Sequence, residues 1–108
     1  MKIKASWIEV FGILILLSSC YNSKNVSVQI EKVAIAELAI IKAQDSQAYK
    51  FAPQELRKAQ EKWQKAKAAL QSEKYSEAAR LAEQASIDAA LAEAKAEFAM
   101  VRQIVKAK

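Results

Sequence analysis

Ala52-Pro53-Gln-Glu-Leu56-Arg-Lys-Ala59-Gln-Glu-Lys-Trp63-Gln-Lys-Ala66-Lys-Ala-Ala-Leu70 holds the cleanest periodicity in this chain. Its apolar residues Ala52, Leu56, Ala59, Trp63, Ala66 and Leu70 step by 4, 3, 4, 3, 4. That is a two-position heptad seam, narrow enough to pack against one or two neighbouring helices. Pro53 suits a first helical turn, where its missing N–H leaves nothing unpaired, and Glu55 then meets the positive end of the helix dipole. The spacing predicts a helix from about Pro53 to Gln71.

On the C-terminal side, Ser72-Glu-Lys-Tyr75 reads as a tight connection, and a helix of roughly 32 residues follows from Tyr75 or Ser76. It carries two apolar stripes on nearly opposite faces. One is alanine throughout: Ala78, Ala82, Ala85, Ala89, Ala92, Ala96 and Ala99. The other is bulkier and confined to the C-terminal half: Ile87, Leu91, Ala94, Phe98, Val101 and Val105. Small residues permit close helix approach, so the alanine stripe is expected against the seam of the preceding helix, with Trp63 and Leu70 filling the space. The bulky stripe needs another cover, either the N-terminal helix or a second copy of the chain.

On the N-terminal side, a helix is expected from about Val26 to Tyr49. Its face is drawn through Ile30, Val33, Ala34, Leu38, Ile40, Ile41 and Ala48, with Ile35 and Ala36 off that stripe. Phe51-Ala52-Pro53 ends it, because Pro disfavours helix in the residue before it. The expected fold is all-α: a three-helix antiparallel bundle, or long helical hairpin with an N-terminal helix, packed like a coiled coil over residues 26–108.

Composition agrees with that architecture. The 108 residues contain one Gly, one Pro and no His, and folds built on many turns need Gly, Pro, Asn and Asp. The absence of His removes the commonest general base and the commonest metal ligand. One Cys allows neither an intramolecular disulfide nor a thiolate metal cluster. The acid pairs Glu73/Glu77 and Glu93/Glu97 read as surface charge, as do Asp45 and Asp88. The chain is therefore expected to be no enzyme, with no cofactor and no metal.

Residues 1–19 read as a targeting signal. Met1-Lys-Ile-Lys4 is basic, and Val10-Phe-Gly-Ile-Leu-Ile-Leu-Leu17 is far shorter than the roughly 20 residues that cross a bilayer. An uncleaved tilted anchor extended through Trp7 and Ile8 is the alternative, which Glu9 interrupts. Leu17-Ser18-Ser19-Cys20 resembles the lipobox of bacterial lipoproteins. That resemblance implies cleavage between Ser19 and Cys20 and a lipid on Cys20, followed by a tether over residues 20–25. Tyr21 in place of the Asp that retains enterobacterial lipoproteins in the inner membrane implies the outer membrane, facing the periplasm. Attached acyl chains, at about 0.8 kcal/mol per buried CH₂, hold such a protein stably at a membrane.

The net charge is +5. Much of the excess sits on the second helix, where Arg57, Lys58, Lys62, Lys65 and Lys67 face only Glu55 and Glu61. This is either a solvated face or an anion-facing surface. Export argues against nucleic acid as the partner and leaves lipid headgroups and cell-wall polymer.

Tyr49-Lys-Phe-Ala-Pro-Gln-Glu-Leu56, then Ala59, Trp63, Ala66, Ala69-Leu70, Tyr75, Ala78, Leu81-Ala82, Ala85, Ala89 and Leu91-Ala92-Glu-Ala94, resemble the domain of unknown function 4398 family over about residues 30–100. That resemblance implies a small alanine-rich helical protein of the bacterial envelope, often a lipoprotein. The family usually has Gly-Asp before the Tyr. Here Glu73-Lys74 replace it, removing the left-handed C-cap residue and the N-cap acceptor that close the hairpin. The function expected is a structural or adaptor lipoprotein that binds another envelope protein or peptidoglycan, with a homo-oligomer possible. The alternative is a binder of anionic polymer or lipid surface. A variant resembles the murein lipoprotein, with Lys108 offering a terminal amine for linkage to peptidoglycan.

Overall fold

The structure, a computed structural model, describes residues 26–107, and all secondary structure among them is helical. Helix α1 occupies residues 26–45. After a turn at Ser46–Gln47 come the one-turn helix α2 (Ala48–Phe51), α3 (Pro53–Gln71) and α4 (Tyr75–Ala107). The expected signal segment 1–19 and tether 20–25 lie outside the described residues, as does Lys108.

Four cross-helix contacts define the register. Lys32 reaches Glu83 and Ser46 reaches Glu97, both 51 positions apart, so α1 and α4 run parallel. Between α3 and α4, Lys62 pairs with Asp88 and Glu55 with Lys95. Seven residues forward on α3 thus match seven backward on α4, and those helices are antiparallel. The molecule is an up-down-up three-helix bundle with coiled-coil-like seams.

All three long helices converge on the alanine stripe of α4. Ala82 and Ala85 pack with Val33 and Ala36 of α1 and Ala66 of α3. Toward the other end, Ala89, Ala92 and Ala96 pack with Ile40 and Ala43 of α1, Ala48 and Ala52 of the corner, and Leu56 and Ala59 of α3. Among the described residues, fourteen of the eighteen buried apolar ones are alanine, the others being Val33, Ile40, Leu56 and Leu81. Side chains this small let helix axes approach toward the short end of the usual 8–10 Å range, where backbone atoms themselves supply much of the dispersion contact.

The N-terminal helix differs from the reading of its sequence in two respects. First, it is interrupted rather than continuous to Tyr49. Gln47 adopts a left-handed conformation, φ 64°, and the backbone N–H of Lys50 and of Phe51 donates to its carbonyl to start α2. The polar run Gln44-Asp-Ser-Gln47 was the sequence signal for this corner. Second, its buried line is Val33, Ala36, Ile40 and Ala43, stepping by 3, 4, 3. Ala36, placed off the stripe from sequence, is fully buried, whereas Ile30, Ala34, Leu38 and Ile41 are exposed. Against an alanine stripe the close-packing positions go to small residues, so hydrophobic bulk misled the assignment.

The hairpin between α3 and α4 is closed despite lacking Gly. The Lys74 N–H donates to the Ala69 carbonyl at 2.9 Å and the Glu73 N–H to Leu70 at 3.0 Å, the two bonds of a Schellman cap. Glu73 supplies the left-handed residue itself, with φ 61°.

Candidate functional site

The residues singled out from sequence separate into a core and two surfaces. Leu56, Ala59 and Ala66 of α3 are buried, and so are Ala78, Ala82, Ala85, Ala89 and Ala92 of α4. Trp63 and Leu70 are half-buried at the edge of that core. Trp63 touches both halves of the core, and the Lys67 ammonium stands 3.9 Å from the centre of its ring. This is a close cation–π contact. Its indole Nε1 is buried and has no hydrogen-bond partner among the described residues.

The five basic residues of α3 do not form one surface. Lys62 turns toward α4 and pairs with Asp88 at 2.6 Å. Lys67 lies over Trp63. Arg57, Lys58 and Lys65 are exposed, with the exposed Glu61 interspersed among them. Glu55 is bonded by Lys95; that bond first, and the residue's own backbone N–H second, hold its carboxyl below the usual carboxylate range. The acids are therefore used as ties between helices or stand alone at the surface. Among the described residues no group of three His, Cys, Asp or Glu could hold a metal ion. None of the helices searched there is long and apolar enough to cross a membrane.

The bulky stripe of α4 lies outside. Ile87 is 68% exposed, Phe98 66% and Val105 67%, and Leu91 and Val101 are exposed beside them. The N-terminal helix, one of the two covers expected for this stripe, does not cover it: α1 lies on the alanine side. The cause is connectivity. Only seven residues, 46–52, separate α1 from α3, so α1 is held beside α3, which itself packs on the alanine face. The bulky stripe points the other way. A second exposed group, Ile30, Ile35, Leu38 and Ile41, runs along α1, and sequence reading had assigned most of it to the interior.

The register also leaves part of α4 beyond the reach of α1 and α3. Residue 45 of α1 stands level with Ala96, and Pro53 of α3 with Glu97. Beyond them, among the described residues, only the α2 corner, through Gln47, Lys50 and Phe51, reaches α4, near Met100 and Ile104. Residues 101–107 are exposed on every face.

Residues 31–107 match the family described as Domain of unknown function (DUF4398). The chain belongs to this family. The matched segment of this DUF4398 protein takes in all but the first turn or so of the described α1, and every later helix. No curated protein and no solved structure matches the chain. Cys20 and Ser19 precede both the family match and the described residues.

Proposed function

We propose that this DUF4398 protein is a lipid-anchored adaptor of the bacterial outer membrane that acts by binding, without catalysis and without a cofactor. The observation that carries the binding role is the distribution of bulk: a core of alanine, with large aliphatic and aromatic side chains on the outer faces of α1 and α4. Monomeric surfaces seldom keep contiguous apolar patches beyond a few hundred Å², and larger ones mark interaction sites. The anchor is supported by Leu17-Ser-Ser-Cys20 behind a basic, apolar start. Lipid on Cys20 places the helical domain next to the membrane, and the outer face of α1 offers Ile30, Ile35, Leu38 and Ile41 to another envelope component.

Growth with labelled palmitate tests the anchor. The wild-type chain should carry label, and Cys20→Ser should remain as an unlabelled precursor. A wild-type product that keeps residues 1–19 and takes up no label overturns the reading. A second reading uses the exposed Arg57, Lys58 and Lys65 to hold anionic polymer or lipid headgroups. Its test is co-sedimentation with isolated sacculi and with anionic vesicles, which Arg57→Glu/Lys58→Glu/Lys65→Glu should abolish. Protein that stays on sacculi boiled in detergent would instead mean covalent linkage through Lys108.

A further inference from the structure

We infer that the hairpin end of the bundle docks on the membrane, with an anionic phospholipid headgroup held in the cleft between α3 and α4. The cleft, about 400 Å³, opens beside the turn that joins these helices. Lys65 of α3, Lys74 of the turn and Arg80 of α4 line it, together with Ser72, Glu77 and Leu81. Three cations thus share the cleft with one carboxylate. All four charges are exposed, and none belongs to the three ion pairs of the described residues. Lys32, Lys62 and Lys95 tie helices together, whereas the cleft cations face an opening. The other acids of this end are placed elsewhere. Glu83 is held by Lys32 on the α1 side, and neither Glu31 nor Glu73 lines the cleft. The donor set suits a phosphodiester: a guanidinium fork matches phosphate oxygens, ammonium groups add point charges, and the Ser72 hydroxyl adds a further donor.

The register puts this cleft where the chain enters the bundle. The offset of 51 between α1 and α4 sets residue 26 level with Glu77, and the α3–α4 pairs set Glu77 level with Glu73 of the turn. Residues 20–25 link this end to Cys20, a reach of at most about 20 Å, and they include Lys24 and no acid. The inference rests on the lipid anchor proposed above. Lipid on Cys20 brings the hairpin end to the headgroups, and anionic lipid attracts Lys and Arg within a Debye length of about 8 Å. Arg57 and Lys58 stand roughly 20 Å further from that end, at 1.5 Å per residue, and lie outside this range. In the docked molecule α4 carries Leu91 to Val105 about 20–40 Å from the headgroups, so the bilayer does not cover the bulky stripe.

The processed full chain, its mass read for lipid on Cys20, is reconstituted into vesicles of phosphatidylcholine alone or mixed equally with phosphatidylglycerol. With lipid on the Cys20 sulfur, Gln71→Cys or Gln103→Cys supplies a single thiol for a fluorophore, quenched by an acceptor attached to the headgroups. In mixed vesicles the label at position 71 should be quenched and the label at position 103 should not. Quenching at 71 should fall in phosphatidylcholine alone and in about 1 M salt, where charges are screened. Lys74→Glu/Arg80→Glu should lower the ratio of docked to free about tenfold, two attractive contacts being reversed, while Arg57→Glu/Lys58→Glu leaves it unchanged. The salt series uses the native cleft, so it stands even where a charge reversal disturbs folding. A chain that takes up no lipid overturns the anchor and the inference together; a lipidated chain whose label at 71 is not quenched overturns the inference alone. Quenching at both positions, or quenching insensitive to salt and to Lys74→Glu/Arg80→Glu, overturns the cleft as the contact. Inorganic phosphate bound through Lys74 and Arg80 in detergent, with no quenching in either vesicle, would assign the cleft to a soluble anion instead.

Discussion

Gln47 and Glu73 are the two described non-glycine residues with positive φ, and both stand where the chain reverses. A side chain in the left-handed region costs about 1–2 kcal/mol relative to a right-handed conformation, a penalty glycine escapes. Glu73 already completes the Schellman bonds, so nothing needs to move on substitution. Glu73→Gly should therefore raise unfolding free energy by about 0.5–1 kcal/mol, after glycine's larger loss of chain entropy. Lys74 precedes α4, and its carbonyl accepts from the Ala78 N–H at 2.9 Å, but its side chain carries no acceptor for the helix start. Lys74→Asp should add about 1 kcal/mol. Denaturant melts of the single and double variants measure both, and a lower midpoint for Glu73→Gly would contradict the cap assignment.

Among the elements, α4 carries the bundle on one face and exposes the other. Ala85 and Ala89 are fully buried where α1 and α3 both approach. Ala89→Leu forces extra methylenes between helices and should cost about 1–3 kcal/mol, whereas Gln103→Leu on the exposed end should change stability little. Equal melting temperatures for Ala89→Leu and wild type would show that the stripe is not an interface. The tie between Glu55 and Lys95 makes α3–α4 packing pH-dependent. A carboxyl held below its usual range stabilises the fold fully at neutral pH and loses that contribution as acid titrates it in the folded state. Stability measured from neutral to roughly pH 3 should fall less steeply in Glu55→Gln than in wild type.

The whole molecule is a bundle with an overhang. Helices α1 and α3 end level with Ala96 and Glu97, and α4 continues for about ten residues, roughly 15 Å. Since residues 101–107 are exposed throughout, a chain ending at Met100 should melt, when dilute, within about 0.5 kcal/mol of the intact one. Melting temperatures of the two dilute chains measure this, and a larger loss would mean that the overhang packs on the bundle.

Helix content, the bounds of α3 and α4 and the alanine seam were legible from the chain, because they follow from local spacing: 3.5- and 3.6-residue periods, one Pro at a helix start, and too little Gly for a turn-rich fold. The DUF4398 resemblance was legible for the same reason, being carried by those spaced residues. What covers what was not legible. A helix wheel shows that α4 has two apolar faces, and covering both would have set Phe98 and Leu91 against a further helix, with Ala36 off the buried line of α1. Tertiary structure instead laid α1 and α3 together on the alanine face, because a seven-residue corner holds α1 beside α3 and close approach rewards small side chains. The outer seam of α4 is the consequence, and only the register of three packed helices decided that it faces away from the chain's own core.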